Sequence, residues 1–224
     1  MNIPLRRRLF AEFLGSAFLA ATVVGSGIAA AQLSPDDVGL QLFENAAATA
    51  AGLFTFILMF GPVSGAHFNP VVSLVDASFG GLRWREAVAY IPAQVVGCIA
   101  GAITANAMFA LSAISISTKH RASEAHLLAE VVATAGLLLV IHGCVRSGRS
   151  DAVAFAVAAW IAGAYWFTSS TSFANPAVTI ARTLSDSFAG IAPSSAPMFV
   201  VMQFAGMVVA FALVALLYPR GDRR

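Results

Sequence analysis

Two Asn-Pro pairs, Asn69-Pro70 and Asn175-Pro176, each stand near the start of a short apolar stretch, followed by Val71 and Ala177. A primary amide donates two hydrogens and accepts at its carbonyl. Paired Asn side chains therefore suit contact with a neutral polar oxygen rather than bond breaking. Two carboxylates, Glu12 and Glu130, lie inside long apolar runs, where acids are functional candidates by default. One use is proton coupling. Another is to accept backbone N–H groups from a neighbouring loop and hold it. The symmetric placement favours the second use, since no further Asp or Glu continues a relay mid-span. His67 suits ordering of loop carbonyls or lining a passage better than binding metal. His67, His120, His126 and His142 lie apart without an acidic partner at helical spacing, so no catalytic, metal or cofactor constellation is expected. Cys98 and Cys144 fall in apolar segments and make neither a disulfide framework nor a zinc site.

The elements that must position these residues are membrane spans. The chain has 224 residues, 58% hydrophobic and only 11% charged, against about 25% charged in a soluble domain. A span needs about 20 mostly apolar residues. Six stretches qualify, near 9–31, 43–61, 84–110, 125–145, 151–169 and 197–218. The pieces near 67–79 and 173–185 are too short to cross. Each contains an Asn-Pro pair, and Pro fits the first helical turn, so both are expected to be half-helices. Arg6, Arg7, Arg8, Arg83, Arg85, Arg146, Arg149, Arg220, Arg223 and Arg224 fall on one side of a six-span topology, 10 of the 13 Lys and Arg. The positive-inside rule then puts both termini in the cytoplasm of a multi-pass protein of the inner, or plasma, membrane. The small net charge of +2 gives no reason to expect nucleic acid.

The pattern repeats. Ala11-Glu12-Phe13 matches Ala129-Glu130-Val131. Phe68-Asn69-Pro70-Val71-Val72 matches Ala174-Asn175-Pro176-Ala177-Val178. Tyr90–Gly97 matches Phe199–Gly206, with Gln94 on Gln203 and Gly97 on Gly206. Each half holds three spans, so the halves have opposite orientations and form an inverted repeat. The chain is read as one domain, 1–224, with repeats near 9–110 and 125–218. Gly15, Gly97, Gly136 and Gly206 are read as sites of close helix packing. Both half-helices begin at the midplane, where their positive dipole ends repel cations.

This motif set, with Ser64–Val71, Ala11–Gly15 and Tyr90–Gln94, resembles the aquaporin, or major intrinsic protein, family over nearly the whole chain. The resemblance implies six transmembrane helices with two re-entrant half-helices. It also implies a homotetramer with one pore per subunit and passive flux of water, glycerol or similar neutral solutes. The family usually has Arg directly after the second Asn-Pro-Ala; here that position is Val178, as in a bacterial aquaglyceroporin-like member with the filter arginine replaced. Carried over by spacing, the selectivity filter is Thr49, Gly163, Ser172 and Val178, lying 20 before Asn69, 12 and 3 before Asn175, and 3 after it. The side chains of such a filter are small and uncharged, so the constriction is expected to be wide. It is expected to pass water, glycerol and neutral metalloid hydroxides such as arsenous acid, the last ranked ahead of glycerol as physiological cargo, with a strict water channel and a proton-coupled transporter as alternatives. Arg182, one turn after Val178, stands where it can reach the pore, but a rim ion pair with Asp186 at i+4 is the preferred reading. Tyr165-Trp166-Phe167 either caps the outer mouth or, as the default reading, forms an interfacial aromatic belt.

Overall fold

The computed structural model describes residues 3–218. All regular structure among them is helical: α1 Leu5–Leu33, α2 Val38–Ser64, α3 Pro70–Ser78, α4 Trp84–Met108, α5 Glu124–Arg146, α6 Val153–Phe167, α7 Pro176–Arg182 and α8 Ala196–Leu217, with a single 3₁₀ turn at Ser150–Ala152 before α6. Six segments are long and apolar enough to span a membrane: α1, α2, α4, α5, α6 extended back to Ser150, and α8. The six expected spans are all present. Arg220, Arg223 and Arg224 lie outside the described residues.

The half-helices are shorter than the stretches 67–79 and 173–185. The reason lies in their caps. Asn69 and Asn175 are extended N-cap residues whose side-chain oxygens accept from Val71 N and Ala177 N, and Pro follows each at the first helical position. An N-cap oxygen satisfies a backbone donor that the first turn leaves orphaned. The residues before each Asn therefore belong to loops. Those loops contain several non-glycine residues in the left-handed region: Ala66 and Phe68 in the first, Thr171, Ser172 and Ala174 in the second. This conformation costs roughly 1–2 kcal/mol per residue, so something must hold it.

Glu12 and Glu130 do so. Glu12 accepts from His67 N at 3.0 Å, Phe68 N at 2.7 Å, the Ser64 hydroxyl at 2.6 Å and the Gln94 amide at 2.8 Å. Glu130 accepts from Phe173 N and Ala174 N, both at 2.9 Å, and from the Gln203 amide at 2.6 Å. The pattern is the same in both halves. Gln94 also donates to Ser73 Oγ, and Gln203 to Thr179 Oγ1. Each carboxylate thus anchors a loop from α1 or α5, and a glutamine from α4 or α8 ties it to the half-helix.

The helices that carry these groups approach closely. A Cβ on Gly97 would stand 2.3 Å from the Phe13 carbonyl oxygen, and one on Gly206 would stand 2.7 Å from that of Val131. Only glycine lets α4 lie on α1, and α8 on α5, at this separation. On the face where α1 begins, Arg8 pairs with Glu86 at 3.2 Å and donates to the Tyr90 hydroxyl, which in turn donates to the Ser64 carbonyl. This chain fixes the start of the first loop against α1 and α4.

Candidate functional site: a cavity crossing the molecule's midplane

The two Asn side chains meet at the centre and cross-link the halves. Asn69 donates to the Ala174 carbonyl, and Asn175 donates to the Phe68 carbonyl, each at 2.8 Å. Both are buried. One hydrogen of each amide is therefore engaged with the opposite loop, and each amide has a second. The two caps serve structure and present a polar edge at the same time.

A cavity of about 550 Å3 runs past this point. At one end it is lined by Gly61 and Pro62 of α2, Gly81, Val145, Ser150 and Asp151, all on the face where α1 begins. Deeper, it passes His67, Asn69, Asn175 and an apolar wall from α1, α2, α5 and α6 that includes Leu19, Val23 and Val157. It ends at Thr49, Tyr165, Ser172, Val178 and Arg182. These five all line the cavity, yet their exposures are 3%, 2%, 4%, 4% and 1%. Their side chains form a ring that closes that end of the cavity. Across that ring, the Thr49 and Tyr165 hydroxyls are hydrogen-bonded at 3.2 Å.

Thr49, Ser172 and Val178 thus lie together, as spacing suggests. Gly163 does not join them. It is exposed on the outside of α6, and a Cβ there would meet nothing within 4 Å. Two residues turn a helix by about 200°, so Gly163 faces away from the side that Ile161 and Tyr165 present to the cavity. The connection from α6 to Asn175 is two residues shorter than a spacing of 12 requires. Tyr165 therefore takes the position assigned to Gly163, and it belongs to the constriction rather than to an interfacial belt.

Arg182 is also placed differently. Asp186 does not pair with it; its carboxylate accepts from Thr118 N at 3.0 Å and from the Thr118 hydroxyl. The Arg182 side chain is buried, its Nε donates to the Ala189 carbonyl, and its guanidinium lies 3.3 Å from the Phe173 ring centroid. The other expectation for Arg182, that of reaching the cavity, is the one the geometry meets. The ring therefore includes Arg182, and it has a phenol where the spacing placed a glycine.

His67 lines the cavity between the midplane and the open end. Its Nδ1 is 3.0 Å from Ser73 Oγ, and its Nε2 is 3.8 Å from Asp76. Glu12 and Glu130 are fully buried in their loop networks and do not line the cavity. Beyond the ring, the segment between α4 and α5 is stitched over the α7–α8 connection. Ser115 N and Ser117 N donate to Leu184 O and Thr183 O, and Ala192 N donates to Lys119 O. Arg121 donates to the Gly190, Ser170 and Phe188 carbonyls. Burial pushes Lys119 down to about 8, with Arg121 and Arg182 nearby adding to the effect, and burial also lowers Arg121. No group of three or more metal-ligating side chains is found among the described residues.

Six spans, two half-helices meeting cap to cap, and a narrow polar-edged cavity between them define a membrane channel protein. The Major intrinsic protein family model matches residues 1–152. The chain is 48% identical over 219 residues to aquaglyceroporin AqpS of Rhizobium meliloti (strain 1021), covering 97% of this chain and 93% of that protein. It is 30% identical to aquaporin NIP1-3 of Oryza sativa subsp. japonica over 80% of this chain and 64% of that one. Among solved structures, the aquaglyceroporin from Plasmodium falciparum superposes with a TM-score of 0.73 over 98% of both chains at 21% identity. The chain belongs to the major intrinsic protein family, and is a multi-pass membrane channel of the aquaporin fold.

Proposed function

We propose that the cavity is a passive pathway for small uncharged solutes, with glycerol and water as principal cargo and neutral metalloid hydroxides such as arsenous acid as cargo of the same size and hydroxyl pattern. The observation that carries this reading is the course of the cavity. It runs from one face past both Asn caps to a ring of Thr49, Tyr165, Ser172 and Val178. Selectivity in such a pore follows its diameter, its lining hydrogen bonds and its electrostatic barriers. The walls are mainly apolar, and polar edges at the midplane and the ring replace part of the solute's hydration. The starts of α3 and α7 meet at the midplane, where helix dipoles disfavour cations. A proton relay is disfavoured because both mid-span carboxylates lie outside the cavity and accept three or four hydrogen bonds each.

We read residues 1–224 as one channel domain, with both termini cytoplasmic in the inner, or plasma, membrane. Arg6, Arg7, Arg8, Arg83, Arg85, Arg146 and Arg149 support that orientation, being on the face where α1 begins while Lys119 and Arg121 are on the other. A homotetramer is inferred from the family, and sedimentation in detergent tests it.

A strict water channel is the second reading, favoured by the Thr49–Tyr165 hydrogen bond across the ring. Stopped-flow light scattering on proteoliposomes separates the two, with sucrose, glycerol and arsenous acid as osmolytes in turn. Rapid re-swelling in glycerol or arsenous acid, abolished by Val178→Arg, is expected. Rapid shrinkage without re-swelling assigns the pore to water alone.

A further inference from the structure

The constriction contains two polar atoms with nothing to bond. Arg182 Nη2 and Ser172 Oγ are buried and have no hydrogen-bond partner among the described residues. Their residues, 1% and 4% exposed, both line the outer end of the cavity. A buried donor without a partner costs about 1–3 kcal/mol, more when charged, so two of them edging one passage mark a position that a passing molecule would satisfy.

The guanidinium is held in place by its surroundings. It rests on the Phe173 ring, and its Nε is fixed by the Ala189 carbonyl. Phe173 is itself anchored, since its backbone N–H is bonded to Glu130. Arg121 lies 5.3 Å from the same ring centroid and is tied only to carbonyls. Among the described residues, no ion-pair contact engages Arg182. A planar, rigid fork of donors, pre-oriented and lacking one acceptor, suits an oxygen-rich ligand better than a mobile ammonium would.

We propose that Arg182, four residues beyond the Asn-Pro-Ala box, is the specificity-determining cation of the pore. Its Nη2 and the Ser172 hydroxyl together bind oxygen atoms of the solute in transit. The proposal rests on reading the cavity as a solute pathway. The substrate class it names is neutral molecules that present two hydroxyl oxygens side by side, on adjacent carbons in polyols and on one central atom in metalloid hydroxides. One oxygen accepts from Nη2, and the next exchanges a hydrogen bond with Ser172. Solutes of the same girth lacking one hydroxyl leave a buried donor unsatisfied and pass more slowly. Cations are repelled at the same point.

The test compares glycerol with 1,3-propanediol, which lacks the central hydroxyl, in re-swelling of proteoliposomes bearing the wild-type chain, Arg182→Lys, Arg182→Met or Ser172→Ala. One lost hydrogen bond to a charged donor corresponds to about tenfold. The wild type should therefore favour glycerol by up to about tenfold. Arg182→Lys and Ser172→Ala should bring the ratio toward one, and Arg182→Met should in addition admit potassium ions measurably. Should the Arg182 variants fail to reach the membrane folded, Ser172→Ala removes a single oxygen and decides alone. An unchanged glycerol-to-diol ratio in Ser172→Ala, or in folded Arg182→Met, overturns the proposal. A wild-type chain that conducts neither solute contradicts the pathway reading itself, and is told apart by that control.

Discussion

Replacing Glu12 by Gln tests whether the mid-span carboxylates hold loops or carry protons. Glu12 accepts four hydrogen bonds, two at each oxygen: Ser64 Oγ and His67 N at Oε1, Phe68 N and Gln94 Nε2 at Oε2. A glutamine keeps one accepting oxygen and puts an amide donor where the other stood, facing two donors. Two bonds to a charged acceptor are lost, each about 1.5–3 kcal/mol. Relaxation returns part of this, so a loss of roughly 3 kcal/mol or more is expected. The left-handed Ala66 and Phe68 lose their restraint with it. For a chain of this size, about 2–4 °C of Tm accompanies each kcal/mol, so the melting temperature in detergent should fall by roughly 10 °C. Water flux should fall as the first loop loosens. Proton coupling predicts a different result: a stable protein, since Gln resembles the protonated acid, with altered pH dependence of transport. A Glu12→Gln protein with unchanged melting and a changed pH profile would refute the structural role.

Other outcomes follow from the same geometry. Tyr165→Phe removes the hydroxyl that bonds Thr49 across the ring, and water flux in proteoliposomes should rise severalfold with the fold intact. Gly163→Ala should leave flux unchanged, because its Cβ points into open space; a reduced glycerol rate would restore Gly163 to the filter. Gly97→Ala sets a Cβ 2.3 Å from the Phe13 carbonyl oxygen and should lower stability in detergent by about 1–3 kcal/mol. Lys119 is pushed down to about 8 from its ordinary 10.5. Between those values the unfolded chain holds the extra proton, so the Lys119 contribution to stability increases as pH rises from about 8 to 10.5. Proteolysis of the α4–α5 connection should slow over that range, and a Lys119→Met variant should lose the dependence.

The spans, the half-helices and the inverted order were legible because lipid imposes length and apolarity on each crossing. The Asn-Pro pairs were legible as starts because a cap oxygen followed by Pro has few other uses. Gln94 and Gln203 were visible as repeat landmarks, but their bonds to Glu12 and Glu130 required three-dimensional neighbours. The ring was only half legible. Thr49, Ser172 and Val178 came from fixed spacing, whereas Gly163 failed because the α6-to-loop connection is shorter and a shift of two residues reverses a helix face. The available signal was the spacing from Ile161 to Tyr165, which puts both on one face. Arg182 was misjudged toward the rim because i,i+4 pairing with Asp186 is a local pattern. The Phe173 ring and the Ala189 carbonyl, which hold the side chain instead, come together only in the folded chain.

The most direct test of the central claim is glycerol flux into proteoliposomes across a range of temperature, with and without an imposed pH gradient. A passive pore predicts a rate linear in glycerol concentration, a low activation energy and no response to the gradient. Saturating uptake that is accelerated or reversed by the pH gradient would contradict it.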